Sequence, residues 1–290
     1  MIVPWWGFAL GAAVFATLFS ILEKKGVKKE HAMEYELTRT SFVALFSLFL
    51  IPWLSFSYGW KAILITYFVS FLAAIGILFR TKSIRHAEIS EITPLLNLTP
   101  GFLAILAFFF LGEKLNKFQI WGIVLLIIGA YVLETDHNSF WKSFLRHLKS
   151  KYVDYVIFAA FIFSITALLN KFILNNYLKA FDYMFLVWIF TSINFIIFAT
   201  IKYNGIKGMK HCLKISRWNV VLAGLFSFIS NLFTLIAMSF AYVSLVVPIE
   251  RLSGLFTTVI GGEMFHEHGV VRKSIACLVM IGGACLIILF

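Results

Sequence analysis

The stretch that decides the fold is Ile92–Leu111, ITPLLNLTPGFLAILAFFFL, which has no charged residue along its length. A helix needs about 20 mainly apolar residues to cross the roughly 30 Å hydrocarbon core of a bilayer. This stretch has that length. It is followed by Gly112-Glu113-Lys114-Leu115 and by a second uncharged run, Phe118–Leu133. The sequence therefore predicts two consecutive helices that cross the membrane.

The same pattern returns 154 residues further along the chain. Six positions keep their residue at this offset without a gap, namely Ala87/Ala241, Ser90/Ser244, Pro94/Pro248, Glu113/Glu267, Gly129/Gly283 and Ala130/Ala284. Chance identities are frequent in apolar sequence, but the proline, the glutamate after the span and the Gly-Ala pair lie at matching points of both copies. The offset predicts an internal duplication.

Composition assigns the chain to a class of protein. Hydrophobic residues make up 61% and charged residues 13% of the chain, whereas a soluble domain has about 25% charged residues. The apolar runs are continuous and as long as helices, unlike the alternating segments of about ten residues in transmembrane barrels. We therefore predict an all-α integral membrane protein whose helices satisfy their own backbone hydrogen bonds.

Ten helix-length apolar spans are predicted, five in each half. They cover residues 2–22, 35–54, 62–79, 92–111, 118–133, 155–174, 183–201, 219–240, 243–264 and 274–290. Because five is odd, the second half must enter the membrane from the opposite side. The duplication is therefore an inverted repeat, an architecture of many secondary transporters, which bind their substrate near the midplane.

The predicted division is a first five-helix repeat at 1–134, a linker at 135–152 and a second five-helix repeat at 153–290. The spacing of aromatic and basic residues around the linker suits either a short amphipathic helix at the membrane interface or a solvated linker. The connection Lys202–Arg217 is also basic and is interpreted as a loop.

The stretch Ser90–Leu133 resembles the fourth and fifth helices of EamA-type permeases of the drug/metabolite transporter superfamily. The shared features are an early proline, a Gly-Glu-Lys-Leu at the end of helix four, Gly122 and the pair Gly129-Ala130. Arg39 near the start of helix two and Lys171 at the end of helix six also fit the family pattern. The resemblance covers the whole chain at the level of ten helices.

The resemblance implies transport of a small metabolite without naming it. The family moves amino acids, nucleotide-linked sugars, nucleosides, organic cations and other metabolites. This chain departs from the family pattern where His266 precedes Glu267 in place of a glycine, and where Ala276 replaces the glycine that would match Gly122.

Charged and polar residues inside spans are informative, because they are costly in lipid and usually face a cavity or a partner. The strongest pair is Glu250-Arg251, two residues after Pro248. Asn97 is the counterpart of Arg251, so we expect the two to lie on either side of the pseudo-two-fold axis. We predict a midplane cavity in which Arg251 receives an anionic group and Glu250 a cationic group or a proton. The alternative is a salt bridge that only holds the bundle together.

The other candidate site residues also lie within the spans. The substrate-binding candidates are Glu250, Arg251, Asn97, Asn231, Asn194, Phe102 and Phe256. The structural or gating candidates are Pro94, Pro248, Arg39 and Gly254. Each proline removes a backbone donor and can free a carbonyl one turn back, and glycine permits close helix packing. The asparagines have an alternative role in hydrogen bonds between helices.

No catalytic residues, cofactor or metal site are predicted. The chain has no Walker A sequence, no GxGxxG and no G-x-S-x-G, so it lacks the signatures of an ATPase, a dinucleotide enzyme or an acyl hydrolase. His266 and His268 flank Glu267, but a zinc site usually needs further ligands. Transport would have to be coupled to protons or to a counter-substrate.

The net charge of +11 is distributed over short connections between spans. Anionic lipid headgroups, rather than nucleic acid, are therefore the expected partners of these charges, beside a small-molecule substrate. The protein is expected to be multi-pass, in the cell (inner) membrane. The excess of Lys and Arg in the odd-numbered connections predicts termini outside, whereas the family resemblance implies termini inside.

Three classes of function are compared. The favoured function is a secondary transporter or exporter of a small organic solute, such as an amino acid or a related metabolite, by alternating access. The alternatives are a transport-inactive assembly or regulatory partner, and a carrier for organic cations or nucleotide-like metabolites. A membrane enzyme would need a convergent set of acid, base or metal ligands, which the sequence does not display.

Overall fold

The computed structural model describes residues 4–27, 30–86, 96–134, 151–203, 205–257 and 270–290, and the regular structure in these ranges is helical. Five described helices are long and apolar enough to cross a membrane: Trp5–Val27, Trp60–Arg85, Asp154–Asn176, Ala180–Ile201 and Trp218–Phe240. Three shorter apolar helices are Thr99–Leu111, Lys117–Val132 and Ile275–Leu289. The prediction of an all-α membrane protein is confirmed.

The helices follow the predicted order. The first half contains α1 (Trp5–Val27), α2 (Ala32–Ser47) continued by a 3-10 segment (Leu48–Trp53), α3 (Trp60–His86), α4 (Thr99–Leu111) and α5 (Lys117–Glu134). The second half contains α6 (Lys151–Asn176), α7 (Ala180–Lys202), α8 (Gly205–Ser216), α9 (Trp218–Phe240), α10 (Val243–Glu250) and α11 (Val270–Leu289). Residues 252–257 continue α10 as a helix after a turn at Arg251.

The interpretation of Lys202–Arg217 as a loop is wrong, because most of it forms the amphipathic helix α8. Its buried residues recur every three or four positions, namely Gly205, Gly208, Cys212 and Ser216. That spacing gives one buried face at the helical period, while the lysines lie on the exposed side. The proposed interfacial helix of the linker at 135–150 lies outside the described residues.

Helices α5 and α11 are the equivalent last helices of the two halves, and they pair in opposite directions. At the start of α5, the Asn116 amide donates to the Phe290 carbonyl at 2.7 Å, and the rings of Phe118 and Phe290 stack at 4.5 Å. At its end, a Cβ built on Gly129 would lie 3.1 Å from the Ala276 carbonyl oxygen. Equivalent helices that run antiparallel require inverted repeats, as predicted.

The glycines of this pair allow two backbones to touch. A Cβ on Gly122 would lie 2.7 Å from the Gly283 carbonyl oxygen, and a Cβ on Gly283 would lie 2.7 Å from the Gly122 carbonyl oxygen. Under the 154-residue offset, the contact of Gly122 with Gly283 becomes the contact of Ala276 with Gly129. The pseudo-two-fold axis therefore passes through this helix pair.

The remaining helix contacts are also exchanged by the pseudo-symmetry. Helix α1 packs against α9 as α6 packs against α3, α1 meets α10 as α6 meets α4, and α2 meets α9 as α7 meets α3. Helices α4 and α10, the equivalent fourth spans, contact each other in the main apolar core. The fourth and ninth predicted spans therefore meet in the core of the bundle.

The described helix ends lie alternately on two sides of the bundle. Glu23 pairs with Arg80 across the ends of α1 and α3. At the other side, the Asp182 carboxylate accepts hydrogen bonds from Ser55 and from the Tyr58 hydroxyl. This alternation is what a chain that crosses the membrane at each helix requires.

Glu113, which occurs in both repeats of the duplication, has a structural role in the first. The Glu113 carboxylate is buried and accepts hydrogen bonds from the backbone N–H groups of Val243, at 2.9 Å, and Ser244, at 3.2 Å, and from the Ser244 hydroxyl. These N–H groups open α10 and have no partner within the helix, and an anion there also complements the helix dipole. The counterparts Glu267 and Ser90 lie outside the described residues.

Glu113→Ala is expected to lower stability by about 1–3 kcal/mol, because two buried donors at the start of α10 lose their acceptor. The measurement is the melting temperature in detergent, together with hydrogen exchange at the amides of Val243 and Ser244, which should lose protection. Lys114→Ala, at the neighbouring exposed position, is the matched control and should change neither. Unaltered protection of both amides in Glu113→Ala would contradict the capping role.

Candidate functional site

A turn lies at the same point of both halves. The chain forms a turn at Asn97 and Leu98 before α4 begins, and it forms a turn at Arg251 after α10 ends. Asn97 and Arg251 are related by the 154-residue offset, and Pro248 lies buried in α10 just before the second turn. Pro94 lies outside the described residues. Arg251 keeps right-handed helical dihedrals, with φ −66° and ψ −11°, and its N–H donates to the Val247 carbonyl at 3.2 Å, so this turn is a local irregularity of the helix at the proline.

Glu250 and Arg251 lie at the second of these turns, and both are only partly buried. The Glu250 carboxylate interacts with the Arg251 guanidinium and with the Thr234 side chain of α9. The chain after the turn is held by α1, because the Thr17 hydroxyl donates to the Ser253 carbonyl at 3.2 Å. A carboxylate and a guanidinium therefore lie side by side at this turn.

Three polar residues of α9, Ser227, Asn231 and Thr234, extend from Glu250 toward a second set of charges. Their spacing of four and three places them on one side of the helix, which we call the α9 polar face. The Asn231 amide donates to the Ser227 carbonyl at 2.7 Å and lies 3.4 Å from the Ser227 hydroxyl. With a rise of 1.5 Å per residue, this face is about 10 Å long.

Arg39 lies at the far end of the α9 polar face. Its guanidinium donates to the Glu36 carboxylate at 2.8 and 2.6 Å and to the Ser227 hydroxyl at 2.9 Å. The other Glu36 oxygen accepts from the Thr81 hydroxyl at 2.9 Å. Arg39 is 3% exposed and Glu36 is fully buried, so α2, α3 and α9 are joined by one buried ionic network.

One aromatic ring contacts both this network and a second ion pair. The Phe19 ring lies under both guanidiniums, with its centroid 5.1 Å from Arg39 Cζ and 5.7 Å from Arg80 Cζ. The Trp188 ring lies 5.7 Å from Arg39 Cζ, and Arg80 pairs with Glu23. Such cation–π contacts favour a cation that is already removed from water.

The structure brings four of the predicted site residues together along α9, namely Glu250, Arg251, Asn231 and Arg39. Gly254 lies three residues after Arg251, and its N–H donates to the Arg251 carbonyl at 3.1 Å. Each end of the α9 polar face carries one acidic and one basic side chain. These are Glu250 and Arg251 at one end, and Glu36 and Arg39 at the other. The partly exposed Glu250 and Arg251 can hold a cationic and an anionic group of one solute, whereas the buried Arg39 and Glu36 bind each other.

The remaining predicted residues lie in other contacts. The buried Asn194 amide donates to the Ser70 hydroxyl at 3.1 Å and joins α7 to α3. Asn97 is buried at its turn. Phe102 packs edge-on against Phe161 with ring centroids 6.1 Å apart, and Phe256 packs against the main core.

Sequence reasoning did not select Glu36, Arg80 and Glu23. Glu36 precedes Arg39 by three residues, which is helical spacing for an ion pair, and this was the available signal. Arg80 and Glu23 lie at predicted span ends, where charged residues ordinarily meet water. Their pairing depends on how α1 packs against α3 and was not readable from either span alone.

A comparison with models of known protein families assigns this chain to one of them. Residues 3–135 and 151–289 each match the model described as the EamA-like transporter family. The chain belongs to the EamA-like transporter family. The resemblance seen in Ser90–Leu133 is thereby confirmed, and the two matches cover both halves of the duplication. The description of the family is that of transporters.

One curated relative and one solved structure are similar to this chain. The relative, from Pectobacterium atrosepticum, is described as a probable 4-amino-4-deoxy-L-arabinose-phosphoundecaprenol flippase subunit ArnE and is 27% identical over 80 residues. That match covers 28% of this chain and 66% of the relative, so slightly less than two thirds of the relative's length is spanned. A crystal structure shares the fold with a TM-score of 0.72 at 15% identity, covering 97% of this chain and 95% of the other.

Proposed function

We propose that this EamA-like transporter is a secondary transporter of a small organic solute with both a cationic and an anionic group, such as an amino acid. The observation that carries the proposal is the pair of equivalent turns at Asn97 and Arg251, one of which presents Glu250 and Arg251 together. In secondary transporters built from inverted repeats, the substrate and the coupling ions bind near the midplane, where the repeats meet.

The inverted repeats supply a mechanism of alternating access. Two halves that are related by a pseudo-two-fold axis can exchange conformations, so that a site near the axis opens to one side and then to the other. The energy would come from protons or from a counter-substrate that binds the same site. The proposed location is the cell (inner) membrane, with anionic lipids around the basic connections.

The charges support a zwitterionic solute. Arg251 would donate two parallel hydrogen bonds to a carboxylate, the geometry in which arginine binds most strongly. Glu250 would accept from an ammonium group. Adjacent residues of a helix point about 100° apart, so the two side chains can border one solute without neutralising each other completely.

Glu250→Gln and Arg251→Gln are each expected to reduce uptake at least about tenfold, since a hydrogen bond to a charged group contributes about 1.5–3 kcal/mol. A thermal-shift screen of amino acids and related metabolites first identifies a solute. Uptake of that solute into proteoliposomes is then measured for the purified parental protein and for each variant. Melting temperatures in detergent identify variants that have lost the fold rather than the site.

The matched control is Ser239→Ala on α9, because this hydroxyl donates only to the Leu235 carbonyl of its own helix, at 2.9 Å, in the described contacts. The control should transport at the parental rate. Well-folded Glu250→Gln and Arg251→Gln proteins that also transport at the parental rate would remove both residues from the site and contradict the proposal.

A second candidate follows from the description of the relative as a flippase subunit. A chain that works only as a subunit, or as a transport-inactive assembly partner, would purify with another membrane protein and show no solute uptake alone. A carrier for organic cations or nucleotide-like metabolites would give a third pattern of transport among the Glu250 and Arg251 variants. Organic cation transport would depend on Glu250 and be little affected by Arg251→Gln.

A further inference from the structure

Three side chains with metal-binding atoms meet on the side of the molecule that carries α8. They are Glu30, just before α2, Glu34, in its first turn, and His211 of α8. One ligand atom from each lies within 4.8 Å of the other two. His211 Nδ1 is 3.5 Å from a Glu30 carboxylate oxygen and 3.5 Å from a Glu34 carboxylate oxygen.

These separations are longer than hydrogen bonds and fit either ion pairs of a protonated His211 or the ligand spacing around one cation. An N–H···O hydrogen bond has a heavy-atom distance of about 2.7–3.2 Å. Zinc holds nitrogen and oxygen ligands at about 2.0–2.2 Å in a tetrahedral arrangement, so two of its ligand atoms lie about 3.4 Å apart. The imidazole nitrogen of His211 has this separation from both carboxylates.

The Glu30 carboxylate lacks the partners that a buried anion requires. Glu30 is 3% exposed, and neither of its oxygens accepts a hydrogen bond in the described part of the chain. Two facing carboxylates with one imidazole would be compensated by a divalent cation.

Gly208 leaves room for the second carboxylate. A Cβ at this position would lie 2.8 Å from Glu34 Cγ and 3.0 Å from both Cδ and Oε1 of Glu34. His211 is 60% exposed at its side chain, which gives a cation access from solvent and leaves a coordination position for water. Cys212 is directed differently, because it is fully buried beside Val27 and Tyr35.

We propose that Glu30, Glu34 and His211 form a binding site for a divalent transition-metal ion of the zinc type. The mixed nitrogen and oxygen ligands suit zinc better than calcium or magnesium, which prefer oxygen ligands alone. A bound ion joins α8 to the start of α2 and so ties the connection between the seventh and eighth spans to the first repeat. The site is independent of the proposed solute.

The test uses the full-length protein in detergent, with any histidine tag removed and with metal stripped by a chelator. Titration with zinc alone should show one saturable equivalent per chain by calorimetry, and zinc should raise the melting temperature. His211→Asn and Glu34→Gln should each weaken the affinity at least tenfold. The matched control, His137→Asn in the linker, should bind as the parental protein does.

Gly208→Ala supplies a variant that keeps all three ligands. It should also weaken zinc binding, since the added methyl group displaces the Glu34 carboxylate. Absence of saturable binding by the parental protein would overturn the proposal, as expected if protonated His211 only forms ion pairs with the two glutamates. The same holds if His211→Asn and Glu34→Gln bind zinc as tightly as the parental protein, or if His137→Asn abolishes binding.

Discussion

Arg39→Ala is expected to lower the free energy of unfolding by about 3–5 kcal/mol, the usual cost of removing one partner of a buried ion pair. Glu36 would remain fully buried without the two hydrogen bonds that it accepts from Arg39. The Ser227 hydroxyl would lose its donor as well. Thermal and denaturant melting in detergent measure the loss, which should exceed that of any exposed charge.

A variant that replaces both partners separates the effect of the unpaired charge from the effect of lost packing. Replacing both partners, as in Glu36→Leu/Arg39→Met, removes the uncompensated charge and is expected to recover much of the stability lost by Arg39→Ala. Lys214→Ala is the control for loss of a positive charge, because Lys214 is exposed on α8. An Arg39→Ala protein that melts like Lys214→Ala would mean that the network does not stabilise the bundle.

Gly283→Ala is expected to destabilise the pair of α5 and α11 by about 1–3 kcal/mol, the typical cost of overpacking. The new methyl group would lie 2.7 Å from the Gly122 carbonyl oxygen and 3.0 Å from the Leu126 nitrogen. Both obstacles are backbone atoms, so the two helices must move apart. The melting temperature in detergent measures this effect.

The neighbouring Gly282 gives a matched control on the same helix. A Cβ at Gly282 would meet no atom within 4 Å, so Gly282→Ala should leave the melting temperature unchanged or raise it. Gly129→Ala should also be destabilising, because its methyl group would lie 2.5 Å from Cγ of the buried Met280 and 3.1 Å from the Ala276 carbonyl oxygen. Equal melting temperatures for Gly282→Ala and Gly283→Ala would contradict the close backbone contact.

The sequence was sufficient for the architecture because the duplication left aligned residues. Pro248, Gly129 and Gly283 marked equivalent points, and span lengths fixed the number of crossings. The helix α8 was not predicted, because its lysines made the segment look like a solvated loop although Gly208 and Cys212 are buried. Its helical period is visible only when the small residues are counted as buried, and glycine carries no hydrophobic signal.

The candidate site was predictable only in part. Glu250 and Arg251 were recognisable because charges inside an apolar span are costly. The partner of Arg39, Ser227, lies 188 residues away, and serine is common in membrane helices, so neither distance nor residue type indicated the contact. Asn194 shows the opposite case, because its buried position was foreseen while its partner Ser70 was not.

The change from α2 to a 3-10 helix alters how far the second span reaches. The 16 residues of α2 rise about 24 Å at 1.5 Å each, which is shorter than a hydrocarbon core of about 30 Å. The 6 residues Leu48–Trp53 add about 12 Å at 2.0 Å each. Tighter winding thus gives this span its full depth with few residues, and it turns Phe49 and Trp53 outward, where fatty acyl chains and headgroups would surround them.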